Sequence, residues 1–123
     1  ANAAINPLGA LLRCQNGVLV ERPSSAPIFD GLAAEAGAVA RALGVELPFP
    51  DPVEHARSVA RVTYANRNSM LQDVEAGRRT EVDAINGAVA RLGAEAGVPT
   101  PLNATVAALI RALGEGQAAH PAV

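Results

Sequence analysis

The side chains of this sequence best suited to chemistry are neutral and form hydrogen bonds. They are Asn2, Asn6, Asn16, Asn66, Asn68 and Ser69. Asn2 and Asn6 are four residues apart, so a helix over this stretch places both amides on one face. Such a set is uncharged but rich in donors, and it could hold a small polar substrate by its carboxylate and hydroxyl oxygens. Turn and cap chemistry, the alternative, explains Asn16 and Asn66 well but Asn2 poorly, because asparagine is a mediocre helix former.

The charged and nucleophilic residues do not form a site of their own. Glu81 and Asp83 could form a pair of carboxylates, but they are two residues apart, so on a helix they do not face each other. The alternative is that they compensate the helix dipole in the first turn of a helix. His55 and His120 lack companions at metal-ligand spacing, and Cys14 is a single cysteine, so no metal site is predicted. The chain contains no lysine, so these residues supply neither a Schiff base nor an ammonium acid.

The composition favours a helical protein and excludes several functional classes. Of the 123 residues, 50% are apolar and 2% are aromatic, which favours closely packed helices over a sheet. The net charge of −2 gives no electrostatic footprint for nucleic acid. The sequence has neither an apolar run long enough to span a membrane nor the pattern of a signal peptide, and its single cysteine suits a reducing compartment. We therefore expect one cytoplasmic helical domain over residues 1–123.

Periodicity predicts five or six helices. They run from the N-terminus to about residue 14, from 24 or 25 to 43, from 51 to about 65, from 69 to 77, from 80 to 97 and from 100 to 113. Pro7 implies that the first helix either begins near Asn6 or is kinked. Residues 18–20 form a short apolar segment, either extended or a packed connector. Residues 114–123 are low in apolar mass and are expected to fray.

Capping signals set the predicted ends of these helices. Ser69 to Gln72 reads as a capping box, and Thr80 as an N-cap with acidic residues in the turn that follows. Asp51 and Pro52 combine an N-cap with a proline at the first helical position. Thr100 and Pro101 repeat that pattern, and the predicted helix stops are Gly44, Gly77 and Gly97.

Five ordered blocks of sequence carry a family resemblance. They are Asn2-x-x-x-Asn6-Pro7-Leu8-x-Ala10-Leu11, Asn16-Gly17, Asn68-Ser69-Met70-x-Gln72-Asp73, Gly77-Arg78-x-Thr80-Glu81-x-Asp83-x-Ile85-Asn86-Gly87 and Gly97-x-x-Thr100-Pro101-x-Asn103. Together they closely resemble the C-terminal helical domain of ketopantoate reductases (2-dehydropantoate 2-reductases), over roughly residues 1–113. The implied fold is an all-α, multi-helix domain of the kind found in 6-phosphogluconate dehydrogenase-like proteins.

The resemblance implies an activity that needs more than this chain. Enzymes of that family reduce ketopantoate to pantoate with NADPH, a step in pantothenate and coenzyme A biosynthesis. Their active site lies between an N-terminal Rossmann domain and this helical domain. The family's catalytic lysine lies four residues before the position that matches Asn2, which falls before Ala1. The chain also begins without Met, within an evident helix. We therefore expect a piece of a longer protein that folds but is inactive alone.

The resemblance also implies roles for individual residues. Asn2, Asn6 and Asn16 match substrate contacts, and Asn66 to Ser69 matches a substrate-binding segment in which Ser69 is the closest match to the family's serine. Glu81 matches a glutamate that contacts the dinucleotide, whereas Asn68 stands where other members have a small hydroxyl residue.

Two alternatives to this interpretation stay open. The substrate could be a different 2-keto acid, or the domain could be a non-catalytic helical module for packing or homodimerisation. Binding of a substrate requires Asn2, Asn6, Ser69 and Glu81 to converge on one open face, whereas a packing module does not.

Overall fold

Helices build the whole described part of the protein. The computed structural model describes residues 1–119, in which seven α-helices and no strands occur. The helices are α1 (Asn2–Leu12), α2 (Val18–Glu21), α3 (Ala26–Ala42), α4 (Pro52–Val62), α5 (Ser69–Glu75), α6 (Asn86–Ala96) and α7 (Pro101–Ala119). The all-α prediction is confirmed. None of the described helices is both long and apolar enough to cross a membrane.

Several helix ends follow the local capping signals. Asp51 Oδ1 accepts hydrogen bonds from the backbone N–H groups of Val53 (3.0 Å) and Glu54 (3.2 Å), and Pro52 is the first residue of α4, as predicted. The three predicted glycine stops are also confirmed: Gly44, Gly77 and Gly97 have φ values of 75°, 70° and 73°. This left-handed region is open to glycine without a steric penalty, so the chain can leave each helix there.

Other helix boundaries differ from the prediction. The N-cap of α5 is Asn68, not Ser69, because the Asn68 Oδ1 accepts the N–H of Leu71 at 2.9 Å. Thr80 does not begin a long helix. Its hydroxyl accepts the N–H of Val82 (3.4 Å) in a separate turn, and α6 starts only at Asn86, whose amide is committed to contacts outside its own helix.

Two further segments are helical where the sequence suggested otherwise. Residues 18–21 form one helical turn rather than an extended segment, which buries Leu19 completely in the core. The segment predicted to fray, 114–123, begins within a helix, because α7 continues through Gly114 to Ala119; whether it frays stays a prediction. Glycine weakens a helix without ending it, and the residues that follow include good helix formers. The rest of that predicted tail, residues 120–123, lies outside the described residues.

The first helix is the centre of the fold. Every residue from Ala3 to Ala10 is buried, because α1 is packed between two apolar clusters. The first cluster joins α1 to α2, α3 and α4, and includes Leu8, Leu19, Phe29, Leu32, Ala56 and Ala60. The second joins α1 to α5 and α7, and includes Ala10, Met70, Leu71, Val74, Ala107 and Ile110. The helix that carries Asn2 and Asn6 is therefore held on several sides.

Candidate functional site

Asn2 and Asn6 form a pair of amides on the central helix, which we call the amide stripe. Asn2 lies exposed in the first turn of α1, and Asn6 is only 7% exposed. Neither side chain has a hydrogen-bond partner within residues 1–119. The Asn6 amide is not among the fully buried atoms that lack a partner, so it is open to a ligand or to water.

Asn86 forms a hydrogen bond to α1 on one side of the amide stripe. Pro7 has no N–H, so the carbonyl of Ala3, four residues earlier, receives no hydrogen bond from its own helix. The Asn86 Nδ2 donates to that carbonyl oxygen at 2.8 Å. The proline in α1 is thus matched by an amide 83 residues away in sequence, and the connection between α5 and α6 is drawn to α1.

Asn68 forms a hydrogen bond to α1 on the other side of the stripe. Its Nδ2 donates to the carbonyl oxygen of Ile5 at 3.2 Å, and both groups are buried. A residue of an α-helix turns by about 100°, so Ile5 lies on one side of the stripe and Ala3 on the other. The Asn68 and Asn86 contacts therefore lie on opposite sides of the stripe. Ser69 directly follows Asn68 in the chain, and Glu81 lies five residues before Asn86. Ser69 and Glu81 are both exposed, and neither side chain has a hydrogen-bond partner in the described part of the chain.

Asn16, which follows α1 in the chain, is hydrogen-bonded to the loop between α4 and α5. Its backbone N–H donates to the carbonyl oxygen of Asn66 (3.0 Å), and its Nδ2 donates to the Thr63 hydroxyl oxygen (3.0 Å). The Thr63 hydroxyl itself donates to the Val59 carbonyl oxygen, so it can only accept from Asn16. The Asn16 Oδ1 is left buried without a partner, and Asn66 is exposed. The side chain of Asn16 is thus held by a hydrogen bond within the fold, whereas those of Asn2 and Asn6 have none among the described residues.

A second polar group of the interior is structural. The Glu35 carboxylate on α3 accepts the backbone N–H groups of Leu102 (3.0 Å) and Asn103 (2.9 Å) at the start of α7. The Asn103 Nδ2 also donates to Glu35 (2.8 Å), and its Oδ1 accepts from the Asn86 Nδ2 (2.9 Å). Asn86 and Asn103 are fully buried. Through the bond from Asn86 to the Ala3 carbonyl, this network joins α1, α3, α6 and α7.

Sequence reasoning missed the amides that shape the site. The sequence gives no definite role to Asn68, names Asn86 and Asn103 only within the family blocks, and does not point to Glu35. One signal was available: Pro7 inside a predicted helix leaves a carbonyl without its donor, which calls for a side-chain amide elsewhere. The partner itself could not be chosen from sequence, because the contact spans most of the chain.

The remaining candidate groups have structural surroundings. Asp83 accepts a hydrogen bond from Arg111 (2.6 Å) and so is paired, unlike Glu81. The ring of His55 stacks on Phe49 with centroids 3.9 Å apart. Cys14 is buried, and burial raises the pKa of its thiol. Within residues 1–119, no cluster of His, Cys, Asp and Glu could hold a metal ion.

Two concavities accompany these side chains. A polar one of about 530 Å³ borders the turn of Glu81 and includes its neighbours Thr80 and Val82. An apolar one of about 560 Å³ is lined by Leu8, Leu11 and Leu12 of α1 together with side chains of α3 and α7. These leucines lie on the face of α1 that is turned away from the amide stripe. The apolar groove and the amide stripe are thus on opposite faces of α1, whereas no residue of α1 lines the polar concavity.

The architecture defines a class: an all-α domain built around a buried central helix, which carries two asparagine amides that have no hydrogen-bond partner among residues 1–119. Residues 1–114 match the family described as "Ketopantoate reductase PanE/ApbA C terminal". The chain belongs to this family, which confirms the resemblance.

Individual relatives agree with the family assignment. The 2-dehydropantoate 2-reductase of Archaeoglobus fulgidus is 41% identical over 115 residues, which cover 94% of this chain and 38% of that protein. The crystal structure of a PanE/ApbA family ketopantoate reductase from Ralstonia eutropha superposes with a TM-score of 0.88 at 34% identity, over 95% of this chain and 39% of that one. D-mandelate dehydrogenase, in a ternary structure with NADH and anilino(oxo)acetate, superposes with a TM-score of 0.83 at 28% identity, over 94% of this chain and 48% of that one. The chain therefore spans about two fifths of the length of its reductase relatives.

Proposed function

We propose that this chain is the substrate-binding part of an NADPH-dependent 2-dehydropantoate 2-reductase, and that it works with a Rossmann domain. One observation carries the proposal. Asn2, Asn6, Ser69 and Glu81 have no hydrogen-bond partner within the described chain, whereas the amides of Asn68 and Asn103 are bonded internally at both ends. The fold thus leaves free four of the groups that the family resemblance assigns to ligands, although Asn16, another of them, donates to Thr63. The Asn6 amide is open to a ligand on a side chain that is otherwise only 7% exposed.

The chemistry of the free groups suits a keto acid. Amides and a hydroxyl donate hydrogen bonds to a carboxylate, a ketone and a hydroxyl oxygen without adding charge. The nicotinamide cofactor supplies the hydride to the keto carbon, and a lysine of the larger protein supplies the proton to the oxygen. Asn2 and Asn6 lie on a helix buried over most of its length, so they can hold the ketone in one orientation while that transfer takes place.

Glu81 suits the cofactor side of the site. Its carboxylate is exposed and has no cationic partner among residues 1–119, whereas Asp83 is held by Arg111. A free carboxylate accepts hydrogen bonds from ribose hydroxyls and from a carboxamide N–H. In this proposal the choice of NADPH over NADH belongs to the Rossmann domain, because this chain has no phosphate loop of its own.

A different 2-keto acid is a second candidate substrate. The structural similarity to D-mandelate dehydrogenase favours it, because that protein shares the same helical scaffold at 28% identity. Differences of a methyl group or two in a pocket change discrimination by only about 1–3 kcal/mol. The same scaffold can therefore serve several keto acids.

The test is an NADPH-oxidation assay with ketopantoate on the full-length protein that carries this chain. Ser69→Ala and Glu81→Ala should each lower kcat/KM about tenfold or more, because each removes a hydrogen bond to a ligand. Ser58→Ala and Glu95→Ala are matched controls, since both residues are exposed and have no hydrogen-bond partner in the described chain. Turnover of another 2-keto acid but not of ketopantoate would support the second candidate. No turnover of any keto acid would overturn both.

A further inference from the structure

We infer that Asn68 is a positioning residue, which fixes Ser69 against the amide stripe of α1. The inference rests on the proposed function, since it concerns the substrate side of the same site. It also gives a role to a residue that the family resemblance left undefined. The argument uses three features: the two bonds of the Asn68 amide, the space left by Gly9, and the place of Ser69 directly after Asn68.

The two ends of the Asn68 amide do different work. The carbonyl oxygen Oδ1 accepts the N–H of Leu71 (2.9 Å) and so begins α5. The Nδ2 donates to the carbonyl oxygen of Ile5 (3.2 Å) and so docks that helix start on α1. An N–H requires an acceptor and a carbonyl requires a donor, so the amide has a single orientation that satisfies both partners. One side chain therefore starts the helix and sets its place on α1.

Gly9 provides the space for this contact. A Cβ atom at Gly9 would stand 2.2 Å from the Asn68 Nδ2, whereas its next protein neighbour outside Asn68, the Cys14 carbonyl oxygen, would be at an ordinary 3.5 Å. A side chain at position 9 would therefore require a shift, and we expect the Asn68 amide to move and its bond to Ile5 to weaken. Gly9 and Asn68 form a lock between α1 and α5.

The hydrogen bond from Asn68 to Ile5 is the contact with α1 that comes directly before Ser69 in the chain. The preceding loop is bound to residues 16–17 by two backbone hydrogen bonds, Asn16 N–H to the Asn66 carbonyl (3.0 Å) and Gly17 N–H to the Tyr64 carbonyl (3.1 Å). Those bonds hold the loop but lie two or more residues before Asn68. Ser69 is next to Asn68 in the chain, and Asn6 is next to Ile5. The lock thus joins the immediate neighbours of two groups that we assign to the substrate.

The experiment uses the full-length protein and steady-state kinetics with ketopantoate. Asn68→Ser keeps a hydroxyl that can cap α5 but is too short to reach Ile5. Asn68→Asp keeps the volume and the cap but cannot donate to the Ile5 carbonyl. For both variants we expect KM to rise about three- to tenfold, the effect of one hydrogen bond, with kcat within about twofold.

Two further variants separate positioning from a general loss of structure. If Asn68 acts through Ser69, Asn68→Ser should add no further rise in KM in a Ser69→Ala background. Gly9→Ala should reproduce the rise in KM of Asn68→Ser, and the double variant Gly9→Ala/Asn68→Ser should be no worse than either single one. Gly116→Ala is the control glycine, because a Cβ there meets nothing within 4 Å. It should leave KM unchanged.

The outcomes distinguish this inference from the proposed function. An unchanged KM in a folded Asn68→Ser protein that turns over ketopantoate would overturn the inference and leave the function in place. Full multiplication of the Asn68→Ser and Ser69→Ala effects would also overturn it, because the two residues would then act independently. A wild-type protein that reduces no 2-keto acid would overturn the proposed function, and this inference with it.

Discussion

Single asparagines of this protein differ in whether the fold satisfies their amides. Asn103 is fully buried and donates to Glu35 and to the carbonyl oxygen of Leu32 (3.3 Å). Asn6 is also buried, yet its amide bonds to no described residue. The Asn6 amide is not among the fully buried atoms that lack a partner, so water or a ligand can bond to it. The two residues share a type but differ in whether the fold uses their amides.

This difference predicts opposite effects on stability. Asn6→Ala should leave the free energy of unfolding within about 0.5 kcal/mol, or raise it slightly, because it breaks no hydrogen bond and alanine is the better helix former. Asn103→Ala should lower it by about 1–3 kcal/mol, because it leaves buried partners unpaired. Urea unfolding followed by circular dichroism measures both. A loss for Asn6→Ala as large as that for Asn103→Ala would make Asn6 a structural residue and remove its support as a substrate ligand.

At the scale of helices, the start of α7 depends on a side chain from α3. The first N–H groups of any helix lack partners within it, and here two of them donate to the carboxylate of Glu35. The negative charge of a carboxylate at the N-terminus of a helix also interacts favourably with the helix dipole. Because α7 supplies Ala107 and Ile110 to the second core cluster, this cap supports the packing of α1.

Removing the cap should therefore destabilise the fold. Glu35→Ala is expected to lower the free energy of unfolding by about 1–3 kcal/mol, since it removes three hydrogen bonds and leaves the Asn103 amide only partly bonded. Glu95→Ala, an exposed glutamate with no hydrogen-bond partner in the described chain, is the matched control and should change it by less than about 0.5 kcal/mol. Urea denaturation of both variants decides the matter: equal, small effects would show that Glu35 does not support α7.

Local signals predicted helix ends well only where the cap and the capped groups are neighbours in sequence. Asp51 caps α4 from within its own turn, and the glycine stops need only their own φ values. The start of α6 was placed at Thr80 because a local cap was present there, but Asn86 is recruited by the Ala3 carbonyl, 83 residues away. The cap of α7 and the lock of α5 on α1 also join distant residues. Tertiary contacts of this kind leave no periodic or capping pattern in the sequence.

The candidate site shows the same division. The spacing of Asn2 and Asn6 suffices to put them on one helical face, and this part of the prediction needs no tertiary information. The family resemblance supplied Ser69 and Glu81, which lie on two other segments. The amides that tie the neighbouring parts of the chain to α1 are Asn68 and Asn86, and both donate to backbone carbonyls. Every residue has a backbone carbonyl, so no pattern of residue types could reveal which carbonyl is the acceptor.

For the whole molecule, α1 decides whether this chain can fold by itself. Both core clusters lie against it, and partly buried Leu11 contacts both of them. Cys14, in the first cluster, is only 8% exposed. Its environment therefore reports on whether α1 is packed.

Expressed alone, residues 1–123 should fold but show no NADPH oxidation with ketopantoate. Both clusters consist of residues within this chain, so unfolding should be a single cooperative transition. The Cys14 thiol should react slowly with a soluble disulfide reagent until that transition, because burial limits access and raises its pKa, although Arg22 lowers the pKa in part. Addition of urea should restore the rate of an exposed thiol. A thiol that reacts at the unfolded rate in buffer would show that α1 needs its partner domain to pack, whereas turnover by the isolated chain would contradict the role that we assign to the Rossmann domain and the lysine.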